Sequence, residues 1–103
     1  MSGFTKLSDV LEEADGKLFF GCPGCNMVHG LNVRNGQKPD WAWNGDVDRP
    51  TFAPSVLVRY PWGPDQHQVV CHSFVRDGRI EFLGDCTHAL AGQTVDLPPV
   101  DDY

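Results

Sequence analysis

A chain of 103 residues has room for one domain and not two, since domains usually run to about 100–150 residues. Fourteen acidic and eight basic side chains leave a net charge of −6, and the basic ones are scattered, which excludes the basic stripe that a nucleic-acid surface needs. The opening segment MSGFTKLSDVLEEADGK lacks the apolar run of a signal peptide, and no stretch approaches the ~18 apolar residues of a membrane helix, so a cytoplasmic location without membrane contact is expected.

Along the chain, Ser8 followed by Asp9-Val10-Leu11-Glu12-Glu13 reads as an N-cap with acids in the first turn, and Gly16 as a stop, which predicts one short helix over 8–14. From Lys17 onward short apolar runs alternate with turn signals. Strands are expected near 17–21, 27–33, 41–43, 55–60, 68–75, 79–83 and 93–97, divided by Asn35-Gly36, Asn44-Gly45, Pro50, Pro54, Pro61, Gly63-Pro64 and Asp77-Gly78. The predicted fold is therefore mainly β, a small sandwich or open barrel of about six or seven short strands with the N-terminal helix and a zinc site. It forms one domain over 1–103, with the β core at 17–98 and a frayed tail at 99–103.

The sharpest local expectation is a hairpin about Asp77-Gly78, a dipeptide that favours a two-residue type I′ turn. That turn pairs Arg76 with Arg79, Val75 with Ile80, Ser73 with Phe82 and Cys71 with Gly84. Alternation then puts Cys71, Ser73, Val75, Ile80, Phe82 and Cys86 on one apolar, inward face, and His72, Phe74, Glu81 and Leu83 on the other.

In a reducing compartment four cysteines read as metal ligands or thiols more readily than as disulfides. Cys22-Pro23-Gly24-Cys25 places two thiolates one tight turn apart, half of a tetrahedral zinc site. A redox dithiol would sit at a helix start, whereas the residues that follow here alternate like a strand. Cys71 and Cys86 complete the first-choice set of Cys22, Cys25, Cys71 and Cys86. A one-residue slip or a bulge would bring in His72 or His88 as the fourth ligand. His29 alternates with Leu31 and Val33 and faces inward; alone it reads as a core histidine. Because His29, His72 and His88 each lie within four residues of a cysteine, all three are expected around the metal as ligands, as orienting groups or as an adjoining polar site. A metal cross-link would also offset the loops implied by eight prolines and eleven glycines.

Trp41 and Trp43 share one face of a short strand, as core residues or, if exposed, as a binding platform with Thr51, His29 and His72. Thr51 and Ser55 beside prolines read as turn-stabilising hydroxyls, since no base stands at a recognised spacing. Asp85 is placed to bond the far nitrogen of His88 or His72, a carboxylate–histidine pair of the kind that supports zinc ligands.

The segments CPGC, WAWNGD, RPTFAPS, CHSFVRDGRIEFL and DCTHALAGQTVDLP together resemble a family of small phage and prophage proteins of unassigned function, over about residues 17–98. The resemblance implies a phage or prophage origin and carries no activity with it. Lacking a phosphate loop or a nucleophile–base–acid spacing, the sequence favours a non-enzymatic, zinc-stabilised module that engages a host or phage protein as an inhibitor or accessory factor. Two alternatives stand beside it. One is a metal-dependent hydrolase with a mixed cysteine and histidine site, Glu81 or Asp85 acting as base; the other is a small-molecule or nucleotide-binding pocket lined by Trp41, Trp43, His72 and Thr51.

Overall fold

The computed structural model describes residues 4–33 and 35–103. Among the described residues nine strands form two antiparallel sheets. The first holds β1 (Thr5–Lys6), β2 (Glu12–Ala14), β3 (Lys17–Cys22) and β4 (Met27–Asn32) in that order. The second holds β5 (Ala42–Trp43), β6 (Phe52–Trp62), β7 (His67–Arg76), β8 (Arg79–Phe82) and β9 (Thr94–Asp96), again in chain order. A chain that only turns back on its nearest neighbour needs short connections, which is what the many Gly and Pro dividers supply. No helix among the described residues is long and apolar enough to cross a membrane.

The sheets pack face to face because each strand alternates. Leu18, Phe20 and Cys22 of β3 and Leu31 of β4 are buried from one side; Phe52, Val56, Cys71, Val75, Ile80 and Phe82 are buried from the other. Phe20 stacks on Phe52 across the gap, with ring centroids 6.3 Å apart. The Asp77-Gly78 hairpin forms with the expected register at Arg76 opposite Arg79, Val75 opposite Ile80 and Ser73 opposite Phe82, but β8 ends at Phe82, so the expected Cys71–Gly84 pair is not part of the ladder. Both turn residues have positive φ, 51° and 77°, as a type I′ turn requires.

The helix expected over 8–14 is replaced by a loop and a strand. Ser8 does cap backbone, its Oγ accepting from the N–H of Val10 and Leu11 at 3.2 and 3.1 Å. The bonds Leu7 N–H to Leu11 O and Ser8 N–H to the same oxygen then close a loop, and Glu12–Ala14 pairs with β3. The reason lies in Asp15-Gly16, with φ of 54° and 76°. It is a second type I′ turn, which folds β2 back on β3 and seats Leu11, 0% exposed, in the core; so short a helix could not bury as much on its own. The tail, expected to fray, folds into a 3-10 turn over Val100–Asp102. Val100 is buried and its N–H bonds Asp9 O at 2.8 Å.

Candidate functional site

Four side chains converge between the sheets. Cys22 ends β3, Cys25 follows in the tight turn, His29 lies on β4 opposite Phe20, and Cys71 comes from β7 of the other sheet. One potential ligand atom from each lies within 4.8 Å of all the others. The Cys22 and Cys71 sulfurs are 3.7 Å apart, close to the about 3.8 Å that two 2.3 Å zinc–sulfur bonds subtend at a tetrahedral ion. The turn is built for this. Cys25 N–H donates to Cys22 Sγ at 3.4 Å and Asn26 N–H to Cys22 O at 2.8 Å, which bends both thiols inward. His29 is buried, and its Nε2 has no hydrogen-bond partner, an expensive omission unless that nitrogen serves as a ligand.

The electrostatics point the same way. Hydrogen bonding from Cys71, assisted by His29, pulls the Cys22 thiol down to about 4, making it a thiolate. Its partner Cys71 is pushed far up, by that same hydrogen bond and by burial, and keeps its proton. Burial and the charge on Cys22 push Cys25 up to about 11. Crowding thus favours a thiolate at Cys22 at the expense of its two neighbours, whereas a divalent cation would favour the thiolate form of all three. The cluster is able to hold a metal ion.

Cys86, first choice for the fourth ligand, is placed differently. Its Sγ accepts from His72 N–H and donates to His72 O, both at 3.2 Å, so backbone already satisfies it. It does lie in a second group with Cys71 and His88. His88 packs edge-on against Phe82, with centroids 4.5 Å apart, and covers Gly24, where a Cβ would collide with the imidazole ring. The knuckle needs glycine at that point because the histidine lies on it.

His72, the remaining alternative ligand, faces the opposite way. Ser55 Oγ lies 3.1 Å from His72 Nε2 and Asp85 Oδ2 lies 3.0 Å from His72 Nδ1. A carboxylate can only accept, so the proton sits on Nδ1, and Nε2 presents its lone pair to the serine hydroxyl. The arrangement has the geometry of the hydrogen-bond relay found where a serine, a histidine base and an orienting acid act together. Three local features assemble it. Residues 53–55 of β6 face Phe74 alone on β7, a bulge between the Phe52–Val75 and Val56–Ser73 pairs that re-aims Ser55. The β6–β7 ladder sets Leu57 opposite His72. The turn bearing Asp85 is pinned to β7 on its other side, where Thr87 N–H donates to Val70 O at 2.9 Å and Val70 N–H to Thr87 Oγ1 at 3.0 Å. The reading of Ser55 as a turn hydroxyl is thereby corrected. Thr51 is one, its Oγ1 accepting from Asp77 N–H at 2.8 Å.

The tryptophans act as supports. Trp41 Nε1–H donates to Ser55 O and Trp43 Nε1–H to Asp46 O, each at 3.3 Å, and both rings pack partly against the core. The site residues expected from sequence thus divide between two places. Cys22, Cys25, His29 and Cys71 meet inside, and His72 with Asp85 meets Ser55 outside. Of the two contacts the sequence allows Asp85, with His88 or with His72, the structure forms the one with His72; Ser55, read from sequence as a turn hydroxyl, stands 17 residues from His72 and is aimed at it by a bulge.

The profile of one known family matches residues 4–83, a family described as bacterial ubiquitination-like system serine protease (BubE). No curated protein and no solved structure matches the chain significantly. The matched span holds Ser55, His72 and all four residues of the inner cluster; Asp85 lies just beyond its end. This match overturns the reading of the chain as a non-enzymatic interaction module and favours the hydrolase alternative. With most of its length matched, the chain belongs to the family of bacterial ubiquitination-like system serine proteases, BubE.

Proposed function

We propose that this chain is a serine peptidase in which Ser55 attacks, His72 moves the proton and Asp85 orients the imidazole. The observation that carries this reading is the Ser55–His72–Asp85 relay, at 3.1 and 3.0 Å, in a member of a serine protease family. Ser55 Oγ adds to a peptide carbonyl while its proton passes to His72 Nε2. The C–N bond then breaks, His72 returns the proton to the leaving amine, and the acyl group stays on Ser55. Water repeats the sequence and frees the acid. Asp85 keeps Nδ1 protonated and stabilises the imidazolium formed in each half. The substrate would be a protein of a bacterial ubiquitination-like system, the setting that the family's description gives.

The inner cluster has a separate task in this reading. Three thiolates and an imidazole suit zinc, and four protein ligands fill its tetrahedron, leaving no position for a reacting water. Cys22, Cys25 and His29 from one sheet and Cys71 from the other would hold the ion as a clasp, and its chemistry would be purely structural. The test measures p-nitrophenyl acetate hydrolysis and bound metal together. One zinc per chain, kept in Ser55→Ala while hydrolysis is lost, supports the assignment. Hydrolysis that survives Ser55→Ala but disappears with a chelator would sink it in favour of a metal-activated water.

A further inference from the structure

The second sheet has an open edge that begins at the nucleophile. Among the described residues β5 covers β6 only at Phe52 and Ala53, and beyond Ser55 none of their strands lies on that side of β6. Which backbone groups point off this edge follows from β7. The N–H and C=O of His72 are used by Cys86 Sγ and Leu83 N–H on the β8 side, and those of Val70 by Thr87. In an antiparallel ladder the residues opposite must then turn their own groups away. Those residues are Leu57 and Arg59. Each therefore presents an N–H and a C=O outward, and among the described residues no hydrogen bond reaches them from that side. Trp41 marks one end by bonding Ser55 O at 3.3 Å. Pro61, which has no N–H, blunts the other.

We propose that this edge is the substrate cleft: an extended peptide adds to the sheet as a strand beside Leu57 and Arg59, which lays its scissile carbonyl over Ser55. The inference rests on the peptidase reading and specifies its substrate. A bare strand edge usually invites aggregation and is managed; here it is left open for one short stretch, continuous with the catalytic serine. An added strand runs about 4.8 Å from β6, and Ser55 and Leu57 share the outer face on which His72 stands, so the hydroxyl reaches the passing carbonyl from above. Four backbone bonds to Leu57 and Arg59 would supply affinity, and neighbouring side chains the selectivity. Leu57, 45% exposed, suits an apolar residue. Arg59 is exposed and forms no ion pair with any described residue, so it suits an acidic residue two positions away along the peptide. A second copy of the chain seated on the same edge would bury the nucleophile.

The test uses the intact zinc-loaded chain. Hydrolysis of p-nitrophenyl acetate reports the serine, and an internally quenched octapeptide library, enriched in apolar-x-acidic sequences, reports the edge. The best-cleaved peptide is then N-methylated one residue at a time. Loss of one backbone bond should lower kcat/KM about tenfold at alternate positions, with under about twofold change at the positions between. Arg59→Glu should invert the preference for Glu over Lys at the residue facing it. A uniform N-methyl profile, or a library left uncleaved while the ester is turned over, overturns strand addition and leaves the serine assignment standing. Absence of ester hydrolysis removes both. A concentration-dependent dimer held through this edge overturns the proposal as well, because the site would then belong to a second copy.

Discussion

Cys71 and His72 are consecutive in β7, yet their surroundings differ in nearly every physical respect. Cys71, 1% exposed, turns into the space between the sheets toward three other ligand groups from the opposite sheet. His72 turns outward to a serine on its own sheet and to Asp85, whose side chain is 55% exposed. The period of two that separates them lets one strand contribute to the cysteine–histidine cluster on one face and to the Ser55–His72–Asp85 relay on the other. Burial crowds the inner thiols into a group that could hold a cation, whereas the outer relay stays open to solvent through Asp85. The comparison predicts that damage to one face should leave a different signature from damage to the other.

The largest effect is expected at the outer face. Ser55→Ala should lower hydrolysis by about 10⁵-fold while leaving stability within about 0.5 kcal/mol, read by ester turnover and urea unfolding on the same sample. Next comes the inner face. Cys22→Ser should cost about 5 kcal/mol and the bound zinc, since metal affinity is folding free energy, with activity per folded molecule retained; the zinc content and unfolding midpoint measure the first part. A Cys22→Ser protein of unchanged midpoint would break the division of labour. Asp85→Asn should reduce kcat by about 10²–10⁴-fold with the metal kept, because the amide leaves Nδ1–H of His72 without its charged acceptor; kinetics and metal analysis decide. The smallest effect is expected at Gly24→Ala, about 1–3 kcal/mol, as the new methyl displaces the His88 ring. Thermal unfolding measures it, and an unshifted midpoint would show that the ring yields freely.

How far these two faces could be read from residues alone varied with the range of the interaction. The Asp77-Gly78 turn is local, so the register of β7 on β8 and the inward position of Cys71 followed from it directly. Asp15-Gly16 is the same dipeptide making the same kind of turn, but the cap at Ser8 and the acids after it carried equal local weight, and burial of Leu11 decided the outcome. The cap bonds formed without the helix. At the inner cluster Cys22, Cys25 and Cys71 and the inward turn of His29 are legible in the sequence, but His29 in place of Cys86 as the fourth member is not, because that depends on how β4 faces β7 across the sandwich. Cys86, chosen because it completed the cysteines, instead bonds the backbone of His72. The relay was least legible. His72 and Asp85 were placed near each other, whereas Ser55 reaches them only through a bulge in β6, a tertiary irregularity that no spacing rule contains.

The most direct test of the account is active-site labelling of the zinc-loaded chain with a small fluorophosphonate, followed by peptide mapping. The account predicts one adduct, on Ser55, absent from His72→Ala although that variant retains its zinc. An unlabelled wild-type chain, or an adduct on any other residue, would contradict it.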